Sequence, residues 1–182
     1  GLDDNGGWLI YSKDGEVIPI DKGTDEDKRV VGNGLPKFTM SVTHTFRYKN
    51  LDLNLYFRGG LGSQIYDVHD LYYGLQDAAP NANVLESAYK ENRKITTGKN
   101  VHSSYFVHNG DFMKLDVATL GYTWNINNKW VEKARFYITG RNLFTISGYH
   151  RGLDKDAYCV NGMEPGLPYS KNGYYPSSRQ FL

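Results

Sequence analysis

Catalysis and metal binding need particular side chains at particular spacings, and this chain offers few of them. Its five histidines, His44, His69, His102, His108 and His150, have no ligand spacing to a cysteine or to paired carboxylates. His102 and His108 sit in a loop at a separation that suits no metal motif. Asp21, Asp25 and Asp27 loosely resemble a calcium loop, but its glycine and distal glutamate are misplaced, and a solvated loop is the plainer reading. No Gly-x-Ser-x-Gly elbow occurs, and "GGLGS" lacks the lysine and spacing of a phosphate loop. The paired acids of glycoside hydrolysis cannot be read from spacing, and the acids here fall mostly in turns and loops. The expectation is no enzyme, no cofactor and no metal. Tyrosine is what the chain has in excess, with 15 Tyr against 8 Phe and 3 Trp. Tyrosine joins apolar area to a polar tip and suits surfaces that are half wet.

The bulk numbers set limits. The chain has 182 residues, enough for one domain. Its 40% hydrophobic and 23% charged content is that of a folded protein. A net charge of +1 gives no argument for nucleic acid or an acidic partner. The single cysteine, Cys159, forms no bridge within the chain. The opening "GLDDNGGWLI" has no basic region and no long apolar core, so no signal peptide is expected there. Apolar runs are far shorter than the roughly 18 residues of a membrane helix. A membrane β-barrel remains open, because its strands alternate and look polar on average.

The elements follow from periodicity. Residues 1–36 read as loop, with a short hairpin expected around Asp14-Gly15 from Trp8–Tyr11 and Glu16–Ile20. In "FTMSVTHTFRYKNLDLNLYF", Phe38, Met40, Val42, His44, Phe46 and Tyr48 alternate with polar residues. After Lys49-Asn50, Leu51, Leu53, Leu55 and Phe57 do the same. A two-residue turn would pair Tyr48 with Leu51, Phe46 with Leu53, His44 with Leu55 and Val42 with Phe57, so the apolar faces coincide. A slip of one residue would place them on opposite sides. Residues 59–110 read as irregular, with a helix candidate over Asn83–Arg93. In "DFMKLDVATLGYTWN" the apolar phase changes between Val117 and Leu120, which predicts a bulge near Ala118-Thr119 or burial on different faces at the two ends. "ARFYITGRNLF" alternates again, and residues 145–178 form a second long loop. Short turns therefore take turns with long loops, about 61–110 and 145–178.

Two architectures fit this pattern. An outer-membrane barrel has short turns at one end, long loops at the other and strands of roughly 9 to 11 residues. A soluble β-sandwich or sheet, such as a carbohydrate-binding module, also alternates. They differ in whether the apolar face of Phe38 to Phe57 is open or covered.

Four linked motifs carry a resemblance. "VVGNGLPKFTMSVTHTFRYKNLDLNLYFRGGLGSQIYD" resembles the late barrel region of SusC/RagA-type TonB-dependent outer-membrane transporters. There a "GN-x-x-P" step leads into a strand, a short turn, a second strand and a glycine-rich exit. "SSYFVHNGDFMKLDVATLGYTW" is similar to that family's "N-G-(S/D)-(Y/F)-(L/M)-(R/K)-L" segment and its "L-G-Y" strand. "ARFYITGRNLFTISGYHRGLDKDA" is similar to its "N-L-(F/L)-T" segment, and "GYYPSSRQF" to its closing "Y-P-x-x-R-x-(F/Y)". Order and spacing agree over residues 30–181. Leu153-Asp154-Lys155 departs from the family's "G-x-D-P", and the chain stops at Leu182 before the last strand would end.

The resemblance implies an all-β fold of antiparallel strands with long loops. The chain would be the C-terminal segment of a large outer-membrane β-barrel, one partial domain over residues 1–182. It would supply about four strands and the start of a fifth, of about 22 in such a transporter. The expected place is the cell outer membrane of a Gram-negative, Bacteroidetes-type bacterium. The expected partners are a SusD-like surface lipoprotein, the TonB energy-coupling system, outer-membrane lipid, and a glycan or peptide substrate. The segment alone would not transport. Its open apolar face and two unpaired edges would favour self-association. The short turns would be periplasmic and the long loops extracellular. Tyr72, Tyr73, Tyr149, Tyr169, Tyr174 and Tyr175 become candidates for stacking on sugar, the plain alternative being that they pack the loops together.

Overall fold

Period-two alternation lays apolar and polar side chains on opposite faces of a strand, and the pairing of strands decides whether those faces line up. The computed structural model describes residues 1–79, 81–96, 100–150 and 178–182. Its strands run in order as β1 (Leu9–Tyr11), β2 (Val17–Pro19), β3 (Phe38–Tyr48), β4 (Leu51–Leu61) and β5 (Gln64–Tyr66). A short helix, α1 (Val68–Tyr73), comes next. The remaining strands are β6 (Val107–Asn109), β7 (Phe112–Asn125), β8 (Lys133–Ser147) and β9 (Gln180–Phe181). One antiparallel sheet has the order β3-β4-β7-β8-β9, and two small ladders join β1 to β2 and β5 to β6. Antiparallel pairing puts the Lys49-Asn50 and 126–132 turns at one end of the sheet and the long connections at the other.

The register across the first turn is the one the sequence predicts. Tyr48 pairs with Leu51, Phe46 with Leu53, His44 with Leu55 and Val42 with Phe57. Lys49 has φ 52°, the left-handed geometry of a two-residue hairpin turn. The apolar face then continues across four strands. Phe46, Leu53, Leu120 and Ile138 lie in one row, and Tyr48, Leu51, Tyr122 and Phe136 in the next. This face is largely uncovered, with Phe46 and Ile138 each 56% exposed and Phe136 61% exposed.

Two bulges keep the rows in phase. Tyr56 and Phe57 face Val117 and Leu115, so β7 carries Asp116 as an extra residue. Leu115 and Val117 face Phe144 and Arg141, so β8 carries one more, beside Asn142 at φ 53°. The β7 bulge thus lies at Asp116 and not at Ala118-Thr119 as the pattern suggested. A polar residue at the bulge leaves no mark in an apolar count. Asp116 accepts a hydrogen bond from Arg58 at 2.7 Å.

The opposite face is polar and cross-linked. Thr45 donates to Asn54 at 2.8 Å, and the hydroxyls of Thr119 and Thr139 lie 2.9 Å apart. Arg135 reaches Asp52 at 2.6 Å by crossing β7 at Gly121. A Cβ at Gly121 would stand 2.7 Å from both the guanidinium and the carboxylate. Gly121 is therefore the place where the ion pair passes over the sheet.

The long-loop end carries a cap with its own core. Trp8, Leu71, Leu75, Ile95, Val101 and Phe106 are buried together, with Leu2, Ile20 and Tyr66 against them. Trp8, Tyr105 and Phe106 meet at ring separations of 5.1 to 6.0 Å. β5 and β6 prolong the β4–β7 pair into this cap, with Gly110 N–H donating to Ser63 O. β4 itself runs through Gly59 and Gly60 to Leu61, further than the irregular segment predicted from Gly59 onward. The expected helix over Asn83–Arg93 is only a 3-10 turn at Glu86–Tyr89, and the α-helix is at Val68–Tyr73.

The β1–β2 hairpin forms where expected, although Gly15, at φ 87°, closes it as part of a longer loop rather than a two-residue turn. Its acidic neighbours are engaged within the chain, Asp27 by backbone and Asp25 by a side chain. Asp27 accepts from Thr24 N–H at 2.8 Å and Lys13 N–H at 2.7 Å, and Asp25 pairs with Lys28 at 2.6 Å.

Two outcomes are expected. Phe106 is fully buried, and Phe106→Ala should destabilise the cap by about 3–5 kcal/mol. Limited proteolysis should then cut residues 62–110 faster while amide exchange in β7 and β8 is unchanged; equal loss in both would mean that cap and sheet share one core. The N–H groups of Thr24 and Lys13 hold the Asp27 carboxyl below the usual carboxylate range. Its contribution is therefore present above the ordinary value, about 3.9, and is lost as pH falls through the lower folded value. The Lys13 amide resonance should keep its hydrogen-bonded shift down to that lower pH; a midpoint at or above the ordinary value would contradict the assignment.

Candidate functional site: the cap over the long-loop end

The helix of the cap starts at a side chain. Asp67 Oδ1 accepts the N–H of Asp70 at 2.9 Å, and Gly74 N–H closes the other end on Asp70 O. α1 buries Val68, Asp70 and Leu71. Tyr72 and Tyr73 lie on its outer side, 36% and 43% exposed.

Beneath the helix is a buried polar network. Asp67 and Asp70 are each 1% exposed and Asn92 is 0% exposed. A buried carboxylate is tolerated only when its oxygens are satisfied. Tyr149 donates its hydroxyl to Asp67 Oδ2 at 2.6 Å. Asp70 accepts from the Ser87 hydroxyl, and from Asn92 Nδ2 at 3.1 Å. Asn92 also donates to Gly74 O at 2.8 Å and accepts the Tyr105 hydroxyl at 2.7 Å. The network binds the helix, the 3-10 turn and the base of the second long connection to one another.

A cavity of about 570 Å³ opens beside it. Asp67, Asp70, Glu86, His108, Tyr149 and His150 are among the residues that line it. Its lining mixes carboxylates, two imidazoles and a phenol, and the Asp67, Asp70 and Tyr149 side chains in it are already engaged with one another's elements through the network. Among the described residues, no three His, Cys, Asp or Glu side chains come together as a metal site.

The six tyrosines singled out from the sequence separate. Tyr72 and Tyr73 are partly exposed neighbours on α1, the Tyr73 ring lies 6.5 Å from that of His69, and neither lines the cavity. Tyr149 lines the cavity but is 3% exposed, packed at 5.5 Å against His108 and bonded to Asp67. Tyr169, Tyr174 and Tyr175 lie outside the described residues. Sequence reasoning missed Asp67, Asp70 and Asn92. The run "DVHDLYYG" did carry the signal of a capping aspartate and a terminating glycine.

No family model matches the chain. In sequence, TonB-dependent receptor P3 of Formosa agariphila is 29% identical over all of the chain, which covers 19% of that protein. TonB-dependent receptor SusC of Bacteroides thetaiotaomicron is 28% identical over 90% of the chain and 16% of its own length. Solved structures of the RagAB peptide transporter, and of the RagAB peptide importer in its 'open-open' state, match all of the chain. Their TM-scores are 0.70 and 0.68, at 19% and 20% identity, over 21% and 20% of those chains. The chain thus spans about a fifth of the length of the proteins it matches. Its five-stranded sheet, with short turns at one end and long connections at the other, matches a fragment of the β-barrel fold of TonB-dependent receptors, and its sequence is similar to those of the SusC/RagA type.

Proposed function

We propose that the chain is one part of a transporter in the outer membrane of a Bacteroidetes-type bacterium. The whole protein would import glycans or peptides, with a SusD-like lipoprotein over its extracellular face and energy from the TonB system. One observation carries this reading. The apolar face of β3, β4, β7 and β8 is continuous in register and open to its surroundings. A soluble carbohydrate-binding module would cover that face with a second layer, and the described elements supply none over it. β3 and β4 have 11 residues each and β7 and β8 have 14 and 15, enough for tilted strands to cross a bilayer. The threonines, Asn54 and the Asp52–Arg135 pair then face the wet interior. The cap becomes extracellular, at the mouth of the barrel.

In this reading the protein is a binding and gating device and not an enzyme. The segment has no transport activity by itself. Tyr72 and Tyr73 are its best-placed side chains for stacking on a sugar or an aromatic peptide side chain, and Tyr149 holds the wall of the cavity.

The test is uptake. Cells carrying the whole receptor and its lipoprotein should accumulate labelled oligosaccharides or oligopeptides, and deletion of TonB should abolish this. Accumulation of neither class, or accumulation that survives loss of TonB, would overturn the proposal. Tyr72→Ala with Tyr73→Ala should weaken binding by about 1–3 kcal/mol, the range of a lost aromatic stacking partner. Isothermal titration against the transported ligand should show this with thermal stability unchanged; unaltered affinity would remove both residues from the site.

A further inference from the structure

The second long connection leaves β8 at Ser147 and immediately engages the first. Ser147 Oγ donates to Asp111 O at 2.7 Å, and Tyr149 N–H donates to Ser147 Oγ at 3.2 Å. The Tyr149 ring then lies against His108, and its hydroxyl reaches Asp67, 82 residues earlier in the chain. Asp67 is the residue on which the first connection is organised. Its Oδ1 caps α1, and its own N–H donates to Phe106 O at 2.8 Å, in the centre of the cap core. One buried carboxylate therefore starts the helix of one loop and holds the phenol of the next.

We propose that Asp67 is a positioning residue that couples the two long connections, so that residues 66–73 and 148–150 open together and not independently. Asp67 and Tyr149 are both nearly sealed from water. Separating them while the surrounding residues stay packed would break their mutual hydrogen bond and leave an acceptor and a hydroxyl where the closed packing exposes almost none of either. Opening both segments at once returns both groups to water. The inexpensive route out of the closed state is thus a joint one, which is the condition for a cooperative local unit. Because both segments line the cavity, its shape has two principal states, walls closed or walls open.

Two variants separate coupling from packing. Tyr149→Phe keeps the ring against His108 and the cap of α1, and removes the hydroxyl's bond to Asp67. Asp67→Asn keeps an oxygen for the cap and gains an N–H that can donate to the phenol oxygen. The test uses the whole receptor in detergent micelles and so rests on the barrel reading. Protection of β7 and β8 amides in the same data reports that reading separately. Hydrogen exchange read by mass spectrometry should show residues 66–73 and 148–150 opening with one common protection in the unaltered protein. In Tyr149→Phe both segments should exchange about tenfold faster, with β7 and β8 unchanged. Asp67→Asn should retain the common behaviour, with protection within about threefold of the unaltered protein. Faster exchange confined to 148–150, or no change in either segment, would overturn the proposal.

Discussion

The pairing of Tyr48 with Leu51 across the Lys49-Asn50 turn sets the parity of the whole sheet, because strand side chains alternate and a slip of one residue exchanges the two faces. With that pairing fixed, Phe46, Leu53, Leu120 and Ile138 fall in one row and Arg47, Asp52, Gly121 and Tyr137 in the adjacent one. The extra residues at Asp116 and beside Asn142 would each invert the faces if they were paired, and as bulges they do not. In a bilayer the penalty for the wrong parity would be large. Each arginine or lysine turned to lipid costs up to about 2–4 kcal/mol near the midplane, and the polar face also carries Asp52, Arg58, Lys114 and Arg141.

The cap obeys a different physics from the sheet it sits on. The sheet keeps its greasy side outside and its hydrogen-bonded side chains on the other face. The cap keeps Trp8, Leu71 and Phe106 inside, as a soluble domain does, and adds two buried carboxylates among them. Buried carboxylates contribute little net stability but punish misplacement of their partners. Asp67 and Asp70 therefore fix where α1, the Glu86–Tyr89 turn and Tyr149 stand relative to one another. A cavity wall built from long loops gains definition in this way where the backbone alone would give little.

What the sequence disclosed follows from range. The turn at Lys49-Asn50 and the pairing beyond it are local, and alternation on both sides gave the register residue by residue. The apolar phase change places the bulge two residues late, because the inserted residue, Asp116, is polar and leaves no mark in that phase. The spacing predicts a helix over Asn83–Arg93, from a capping Asn83 and apolar residues on one side, whereas the structure has it at Val68–Tyr73, where six residues are held by the Asp67 cap and the cap core. Tertiary contact outweighs propensity in so short a helix. Tyr149 shows the limit most clearly. Its bond to Asp67 spans 82 residues, and no local pattern distinguishes a tyrosine that anchors a loop from one that offers its face to a ligand.

Ile138 and Thr139 are neighbours in β8 on opposite faces of the sheet, and they give the most direct test of the central claim. A nitroxide would be attached at each position in turn in the whole protein, after Cys159 and every cysteine elsewhere in it are replaced by serine, and the protein placed in lipid bilayers. Accessibility to oxygen, which concentrates in lipid, and to a water-soluble nickel chelate would be read by electron paramagnetic resonance. The account predicts a label at 138 that meets oxygen and is shielded from nickel, and the reverse at 139. A label at 138 shielded from oxygen would place that face against protein, and the barrel reading of the sheet would be wrong.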